Sequence, residues 1–174
     1  MSDYKNIRGK KVKFLTSDLS SEQSEGQLFY SDTDNDFKSV IASAAWSSAA
    51  SLITGTGFGT HSGPNTNSFY VGGLPVIATT QHYNGTGWTL GGDYPSSRYG
   101  LASAGTQTAG LAFGGTSPVR ALSEEYDGTS WTEGNNLNTG RRGLVGAGIQ
   151  TAALAMGGTP SKVEEYNGTS WTAG

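Results

Sequence analysis

The chain has 174 residues, a length that suits one ordinary domain or a small domain with an attached segment. Its 27 glycines and its low share of charged residues (14%) disfavour helices and favour strands joined by tight turns. The absence of cysteine excludes disulfides and thiolate chemistry, and the net charge of −3 does not indicate nucleic acid as a main partner.

Residues 1–46 differ from the rest and are predicted to form an N-terminal attachment segment. Its first residues are polar and basic with no apolar run behind them, so we expect no secretory signal peptide. Residues 11–15 predict an exposed strand, and residues 26–30 and 36–40 predict a β-hairpin around a polar turn. The following stretch, residues 41–51, fits a strand, a short helix or the start of the first repeat. The apolar residues 40–53 are interrupted by serines and are too short to cross a bilayer, so no membrane insertion is expected.

Three aspartates in this segment, Asp32, Asp34 and Asp36, have the spacing of calcium ligands. An EF-hand loop also needs Gly after the third acid and Glu at position twelve, where this chain has Phe37 and Ser43. We therefore expect a polar turn here, and neither a bound metal nor another cofactor.

A repeat of about forty residues dominates the remainder of the chain. The four tryptophans, at positions 46, 88, 131 and 171, lie 42, 43 and 40 residues apart, and a Gly-Gly pair ends 27 residues after each of the first three. Such a period is typical of solenoids and propellers. It predicts three repeats, at 47–88, 89–131 and 132–174. The positions that they share are Gly72, Gly73, Tyr83, Trp88, Gly114, Gly115, Tyr126, Trp131, Gly157, Gly158, Tyr166 and Trp171.

Each repeat is predicted to fold as four short strands. In the middle repeat the predicted strands are residues 101–105, 109–113, 119–126 and 129–132. Asp127-Gly128 is predicted to be a two-residue hairpin turn with positive φ at both positions. That turn would place Thr129 opposite Tyr126, with Tyr126 and Trp131 as diagonal neighbours on one face. One aromatic pair per repeat would then lie between neighbouring sheets, and small residues would lie in the crowded strand.

The turn positions and the acids beside them have alternative interpretations. Asn84 and Asn167 begin glycosylation sequons, but Asp127 takes the same place, so we interpret all three as turn residues that tolerate positive φ. The recurring pairs Glu124-Glu125 and Glu164-Glu165 are interpreted as a solvated strand face rather than as paired catalytic acids.

Other candidate sites are weaker. His61 and His82 are isolated histidines without cysteine partners, which makes a poor zinc site. The glycine-rich run at residues 55–59 precedes no predicted helix, so phosphate binding is not expected. No G-x-S-x-G nucleophile elbow is present. We therefore predict no catalytic and no cofactor-binding residue.

The repeat resembles the kelch motif, in which a Gly-Gly doublet follows an apolar strand and precedes a Tyr and then a Trp. The resemblance covers residues 47–174 and implies an all-β fold of four-stranded blades. It departs from the motif in that the strand before Gly-Gly has smaller residues than usual. Propellers close with about four to eight blades, so three repeats predict an incomplete propeller. The chain is then either a fragment or is completed by further copies. Enzymes that resemble galactose oxidase need a Cys crosslinked to Tyr, and the chain has no Cys, so a non-enzymatic role is expected.

A second resemblance combines the opening YKNIRGKKVKF, the hairpin GQLFYSDTDNDFK and repeats of the types YNGTSWT and GTQTAGLAFGG. Together they resemble phage structural proteins, particularly tail appendages of marine and cyanobacterial phages. The resemblance implies synthesis in the host cytoplasm, a place in the virion and attachment to other virion proteins through the N-terminal segment. It also implies contact of the repeats with neighbouring subunits or a host-surface glycan, and a homo-oligomer, a trimer by analogy. The alternative hypothesis is a free bacterial propeller-type module that binds glycans or proteins.

Overall fold

The computed structural model describes residues 48–174 and, before them, the strands at 14–15, 28–31 and 36–39. Its internal contacts divide the chain into two units, Met1–Ser48 and Ala49–Gly174. All regular structure in the described residues is β-strand, so the predicted all-β class is confirmed. Nowhere in the described part of the chain is there a helix with the length and apolar character needed to cross a bilayer.

The N-terminal unit contains a three-stranded sheet of β1 (Phe14–Leu15), β2 (Leu28–Ser31) and β3 (Asp36–Ser39). Strands β2 and β3 are antiparallel, with Tyr30 opposite Phe37, and β1 runs parallel to β2. The predicted strand and hairpin are thus confirmed within these residues. Asp36 begins β3, whereas Asp32, Asp34 and residues 41–47 lie outside the described residues.

The second unit contains three four-stranded antiparallel sheets, each with its strands paired in chain order. The first sheet comprises β4 (Thr60–Ser62), β5 (Ser68–Val71), β6 (Thr80–Tyr83) and β7 (Trp88–Leu90). The second comprises β8 (Tyr99–Thr106), β9 (Ala109–Thr116), β10 (Ser123–Tyr126) and β11 (Trp131–Glu133). The third comprises β12 (Arg142–Ile149), β13 (Ala152–Thr159), β14 (Lys162–Tyr166) and β15 (Trp171–Ala173). The sheets are blade-like, and in the described residues they do not close a ring.

The hairpin turn before each tryptophan differs from the prediction. Tyr126 pairs directly with Trp131, so the loop has four residues, 127–130, and Thr129 is not opposite Tyr126. Only Gly128 has a positive φ, of 97°. The Asp127 carboxylate instead accepts the backbone N–H groups of Thr129 and Ser130, at 2.7 and 2.8 Å. The prediction was wrong because Asp127 serves as a hydrogen-bond acceptor, while the glycine supplies the positive φ.

The same correction applies to the asparagines in the other two turns. The Asn84 side chain accepts the N–H of Thr86 at 3.0 Å and that of Gly87 at 2.8 Å. Asn167 accepts the N–H groups of Thr169 and Ser170 at 2.9 and 2.8 Å. Asn and Asp are interchangeable here because both offer a side-chain oxygen at the same place.

Glycines are required where neighbouring sheets approach each other. A Cβ at Gly72, where φ is +71°, would lie 2.6 Å from the carbonyl oxygen of Arg98. A Cβ at Gly114, where φ is +69°, would lie 2.8 Å from the carbonyl oxygen of Arg141. These two Gly-Gly pairs therefore have a left-handed backbone that receives the segment leading into the next sheet.

The core lies between the sheets, as the placement of the aromatic pairs predicted. Phe69 of the first sheet packs edge-on against Trp131 of the second, with ring centroids 5.9 Å apart. Phe113 of the second sheet packs against Trp171 of the third, at 4.9 Å. The crowding is close enough that a Cβ on Gly110 would lie 2.8 Å from the Phe69 ring. Small residues in β9 are therefore needed for the sheets to pack.

Candidate functional site

The junctions between sheets are the most regular chemical feature of the described residues. Tyr166 and Trp171 of the third sheet lie on its side towards the second sheet, with ring centroids 4.9 Å apart. The Tyr166 hydroxyl donates to the Glu125 carboxylate at 2.7 Å, and the Trp171 indole N–H donates to the Ser123 hydroxyl at 3.2 Å. Burial is the main cause that raises the pKa of Tyr166, and hydrogen bonding to Glu125 raises it further. The tyrosine therefore stays a donor to the carboxylate.

The junction between the first and second sheets repeats this arrangement. Tyr126 and Trp131 are stacked, with ring centroids 4.6 Å apart. The Tyr126 hydroxyl is hydrogen-bonded to Nε2 of His82 at 2.9 Å, and the Trp131 indole N–H donates to the Thr80 hydroxyl at 2.9 Å. Burial lowers the pKa of His82, which favours the neutral imidazole that this hydrogen bond can use.

A glutamine adds a third contact at each junction. The side chain of Gln150, in the turn between β12 and β13, donates to the carbonyl oxygens of Gly110 and Tyr126, both at 3.0 Å. Its counterpart Gln107, one repeat earlier, donates to the carbonyl oxygen of Ser68 at 3.4 Å. The second and third sheets thus each contribute a Tyr, a Trp and a Gln to the surface of the sheet before them.

A buried ion pair lies inside the second sheet. Arg98, fully buried, donates to the Glu124 carboxylate, which is 2% exposed and also accepts the Tyr94 hydroxyl at 2.5 Å. Burial raises the pKa of Glu124 to about 7, although Arg98 opposes the rise. The predicted solvated strand face is therefore wrong for Glu124. A carboxylate in this position is stabilised by its partners rather than by water.

The third sheet has the equivalent pair, and the first sheet has a neutral replacement. Arg141 donates to the Glu164 carboxylate at 3.1 Å, and both residues are buried, so the solvated interpretation is also wrong for Glu164. In the first sheet Gln81 takes the place of the glutamate, and Thr56 takes the place of the arginine. The Gln81 amide exchanges hydrogen bonds with the backbone N–H and carbonyl of Thr54, at 3.1 and 3.0 Å. The acid is thus absent from the repeat that lacks the arginine.

A sequence signal for these pairs existed and was missed. Arg98 and Arg141 each lie ten residues after a repeat tryptophan, Trp88 and Trp131. The arginines thus recur once per repeat, as the glutamates do, and this shared period was the available signal.

The third sheet presents one apolar face to solvent, which we call the open face and define as Val145, Leu154, Val163 and Glu165. The three apolar side chains are 63%, 36% and 45% exposed, respectively. Their counterparts in the second sheet, Ala102, Leu111 and Ser123, are at most 1% exposed because the third sheet covers them. A cleft of about 370 Å³ opens on this face beside Leu154, Glu165 and Tyr166.

The remaining candidate residues occupy structural positions. All six glycines of the Gly-Gly pairs have positive φ, between 69° and 119°. Tyr126, Tyr166 and Trp171 are buried, whereas Tyr83 and Trp88 are half-buried. No group of three His, Asp or Glu side chains within the described residues could hold a metal ion.

No protein-family model matches this chain, and no curated protein matches it in sequence. The function must therefore be inferred from its own residues.

Proposed function

We propose that the chain is a non-enzymatic structural and interaction protein of a phage particle, a virion or tail appendage. In this proposal the three sheets are kelch-like blades of an incomplete propeller, and the N-terminal segment attaches them to neighbouring virion proteins. Support comes from the sequence resemblance of the opening and of the repeats to phage structural proteins. The observation that carries the interaction role is the repeated junction, because its Tyr, Trp and Gln side chains all serve to join sheets.

The polar chemistry of the second unit also favours a scaffold. The carboxylates of Glu124 and Glu164 are bound by arginines of their own sheets, and the carboxylate of Glu125 accepts a tyrosine hydroxyl from the next sheet. Such groups stabilise the packing of sheets and leave the loops between strands to make external contacts. We propose that these loops contact neighbouring subunits or a host-surface glycan.

The attachment role is assigned to the basic start of the N-terminal segment. Five of the eleven Lys and Arg residues lie between Lys5 and Lys13, a density suited to docking on an acidic protein surface. Replacing Lys10 and Lys11 by Glu should therefore reduce the amount of the chain in purified particles. The matched control is Lys162→Glu, because Lys162 is exposed on the third sheet, outside the attachment segment.

The test is quantitative mass spectrometry of purified particles, combined with immunogold labelling of the second unit. We expect the wild-type chain and Lys162→Glu at a fixed copy number per particle, and the Lys10→Glu/Lys11→Glu chain to be depleted. Particles without the chain would refute the proposal. Glycan-array binding by a chain that never associates with particles would instead favour the free bacterial binding module.

A further inference from the structure

The open face of the third sheet has the same construction as the two faces that are covered inside the chain. Val163 occupies the position of Thr80 and Ser123, which meet the tryptophan of the following sheet. Glu165 occupies the position of His82 and Glu125, which meet its tyrosine. The face is thus a third copy of a surface that is an established sheet-binding surface at two other places in the molecule.

The open face also has unfilled space at two positions where the covered faces contact the following sheet. The cleft beside Glu165 and Tyr166 lies where, one sheet earlier, Gln150 reaches the carbonyls of Gly110 and Tyr126. A Cβ on Gly157 would meet nothing within 4 Å, whereas its counterparts Gly72 and Gly114 lie against the carbonyl of a following arginine. The open face therefore has space for the same elements that the covered faces receive.

The first sheet carries the matching elements on its opposite side. Tyr83 and Trp88 are paired with ring centroids 5.0 Å apart, and they are only half-buried. Asn65 is exposed in the turn that corresponds to those of Gln107 and Gln150. Among the described residues, no sheet packs on this side of the first sheet.

The hydrogen bond of the repeat tryptophan is different at these two surfaces, and the difference makes them complementary. At both internal junctions the tryptophan N–H donates to a hydroxyl of the preceding sheet, but Val163 offers no hydroxyl. Trp88 does not need one, because its N–H donates to the carbonyl of Ala50 in its own chain, at 3.0 Å. Trp88, the one repeat tryptophan whose N–H does not use a hydroxyl of a preceding sheet, thus matches the face that offers no hydroxyl. Burying an unpaired indole N–H would otherwise be costly.

We propose that the open face of the third sheet binds the first sheet of a second copy of this chain. Two copies provide six four-stranded sheets, twice the three that residues 48–174 form, and six falls within the four to eight blades that close a propeller. Three copies would provide nine, outside that range. Two copies can satisfy both of their open surfaces at once, because the third sheet of each meets the first sheet of the other. This head-to-tail contact closes into a two-fold ring, and it does not depend on the proposed role in a phage particle.

Docking would move two side chains into new surroundings. The Tyr83 hydroxyl, which now donates to the carbonyl of Gly85 at 2.9 Å, would turn to the Glu165 carboxylate of the second copy. The exposed His61 on β4 would lie near Val145 of the second copy, since its counterpart Ser103 lies beside the innermost strand of the preceding sheet.

The first experiment is light scattering of the full chain over a range of concentrations. We expect a species with twice the mass of the 18.0 kDa chain. Val163→Glu should raise the dissociation constant at least roughly 100-fold, because it would bury an unpaired charge in the contact. Val119→Glu is the matched control, since Val119 is similarly exposed (46%) but lies in the loop between β9 and β10. The Val119→Glu protein should therefore keep the mass of two copies. Circular dichroism should show both variants folded, because both side chains are partly exposed.

A second variant separates head-to-tail pairing from pairing of two open faces. His61→Glu changes only the first sheet, and it should also raise the dissociation constant. Mixing His61→Glu with Val163→Glu should restore association through the one contact in which both surfaces are intact. A monomeric or trimeric wild-type chain would overturn the proposal, as would a dimer that Val163→Glu leaves intact. A dimer that His61→Glu does not weaken would show that two open faces meet instead.

Discussion

The buried pair of Arg98 and Glu124 should be strongly coupled in its effect on stability. Arg98 is fully buried, and Glu124 is 2% exposed, so removing Arg98 leaves the Glu124 carboxylate without a charged partner and without water. Breaking a buried ion pair in this way costs about 3–5 kcal/mol. We therefore expect Arg98→Met to lower the free energy of unfolding by about that amount at pH 8, where Glu124 is ionised.

The double variant Arg98→Met/Glu124→Gln should lose less than the sum of the two single changes, by about 2 kcal/mol. The reason is visible in the first sheet, where Gln81 is buried without an arginine and is satisfied by the backbone of Thr54. The assay is urea unfolding at one protein concentration, followed by circular dichroism. Asp93→Asn is the control, since Asp93 is an exposed acid outside the ion pair. Additive losses in the double variant would refute the coupling.

The same carboxyl should make stability depend on pH. Its pKa of about 7 lies above the ordinary value of 4.5, so the folded state holds the proton more tightly than the unfolded state. The stabilisation from this group is complete below pH 4.5 and is lost as the pH rises through 7, and it amounts to about 3 kcal/mol. Glu124→Gln should remove this fall. A wild-type and a Glu124→Gln chain with the same slope between pH 5 and 8 would contradict the argument.

Three further predictions concern the turn, the glycines and the glutamines. Asp127→Ala should lower the melting temperature, whereas Asp127→Asn should not, since Asn84 and Asn167 make the same turn. Hydrogen bonds from the backbone N–H groups lower the pKa of Asp127, so the stabilisation that this carboxylate provides should be lost at acid pH in the wild type but not in Asp127→Asn. Thermal melts from pH 2 to 7 would show the difference. Gly114→Ala should cost about 1–3 kcal/mol more than Gly157→Ala by urea unfolding in a Val163→Glu chain, because only Gly114 has a carbonyl 2.8 Å from the added Cβ. Both glycines have left-handed φ, so that cost is shared, and equal losses of stability would contradict the prediction. Gln150→Ala should destabilise the chain by about 1–2 kcal/mol and Gln107→Ala by less, because Gln150 makes two hydrogen bonds at 3.0 Å and Gln107 makes one at 3.4 Å. Equal losses in the same unfolding assay would contradict this prediction.

Periodicity made much of the fold predictable from the sequence. Spacing of the tryptophans and Gly-Gly pairs predicted four strands per repeat, and the small residues of β9 predicted close packing between sheets. These features are local or recur at a fixed distance, so they can be recognised without knowing which segments meet. The placement of Tyr126 and Trp131 on one face followed in the same way, but the two residues are directly opposite and stacked rather than diagonal, because the loop between them has four residues rather than two.

The buried acids were not predicted because their partners are remote in sequence. Glu124 looks like a surface residue beside Glu125, and nothing local indicates that Arg98 lies against it, 26 residues earlier. The two neighbours in fact have different partners, since the Glu124 carboxylate binds Arg98 and the Glu125 carboxylate accepts a hydrogen bond from a tyrosine of the next sheet. In a strand, adjacent side chains point to opposite faces, so a Glu-Glu pair cannot be assigned one environment.

The ion pairs and the junctions are parts of one arrangement, and this bears on how the proposed second copy would bind. The carbonyl oxygen of Arg98 accepts the N–H of Gly73 in the preceding sheet at 2.9 Å, and that of Arg141 accepts the N–H of Gly115 at 2.8 Å. Each arginine therefore anchors the segment that ties its sheet to the one before.

The segment leading into the first sheet has Thr56 at this position, so a junction formed by the first sheet lacks the arginine anchor. Such a junction should be weaker than the two inside the chain, because it also lacks the tryptophan–hydroxyl bond at Val163. Dilution should then separate the copies while the sheets remain folded. A mass that falls with concentration at an unchanged circular dichroism spectrum is the expected result, and separation only on unfolding would show that the anchors are unimportant.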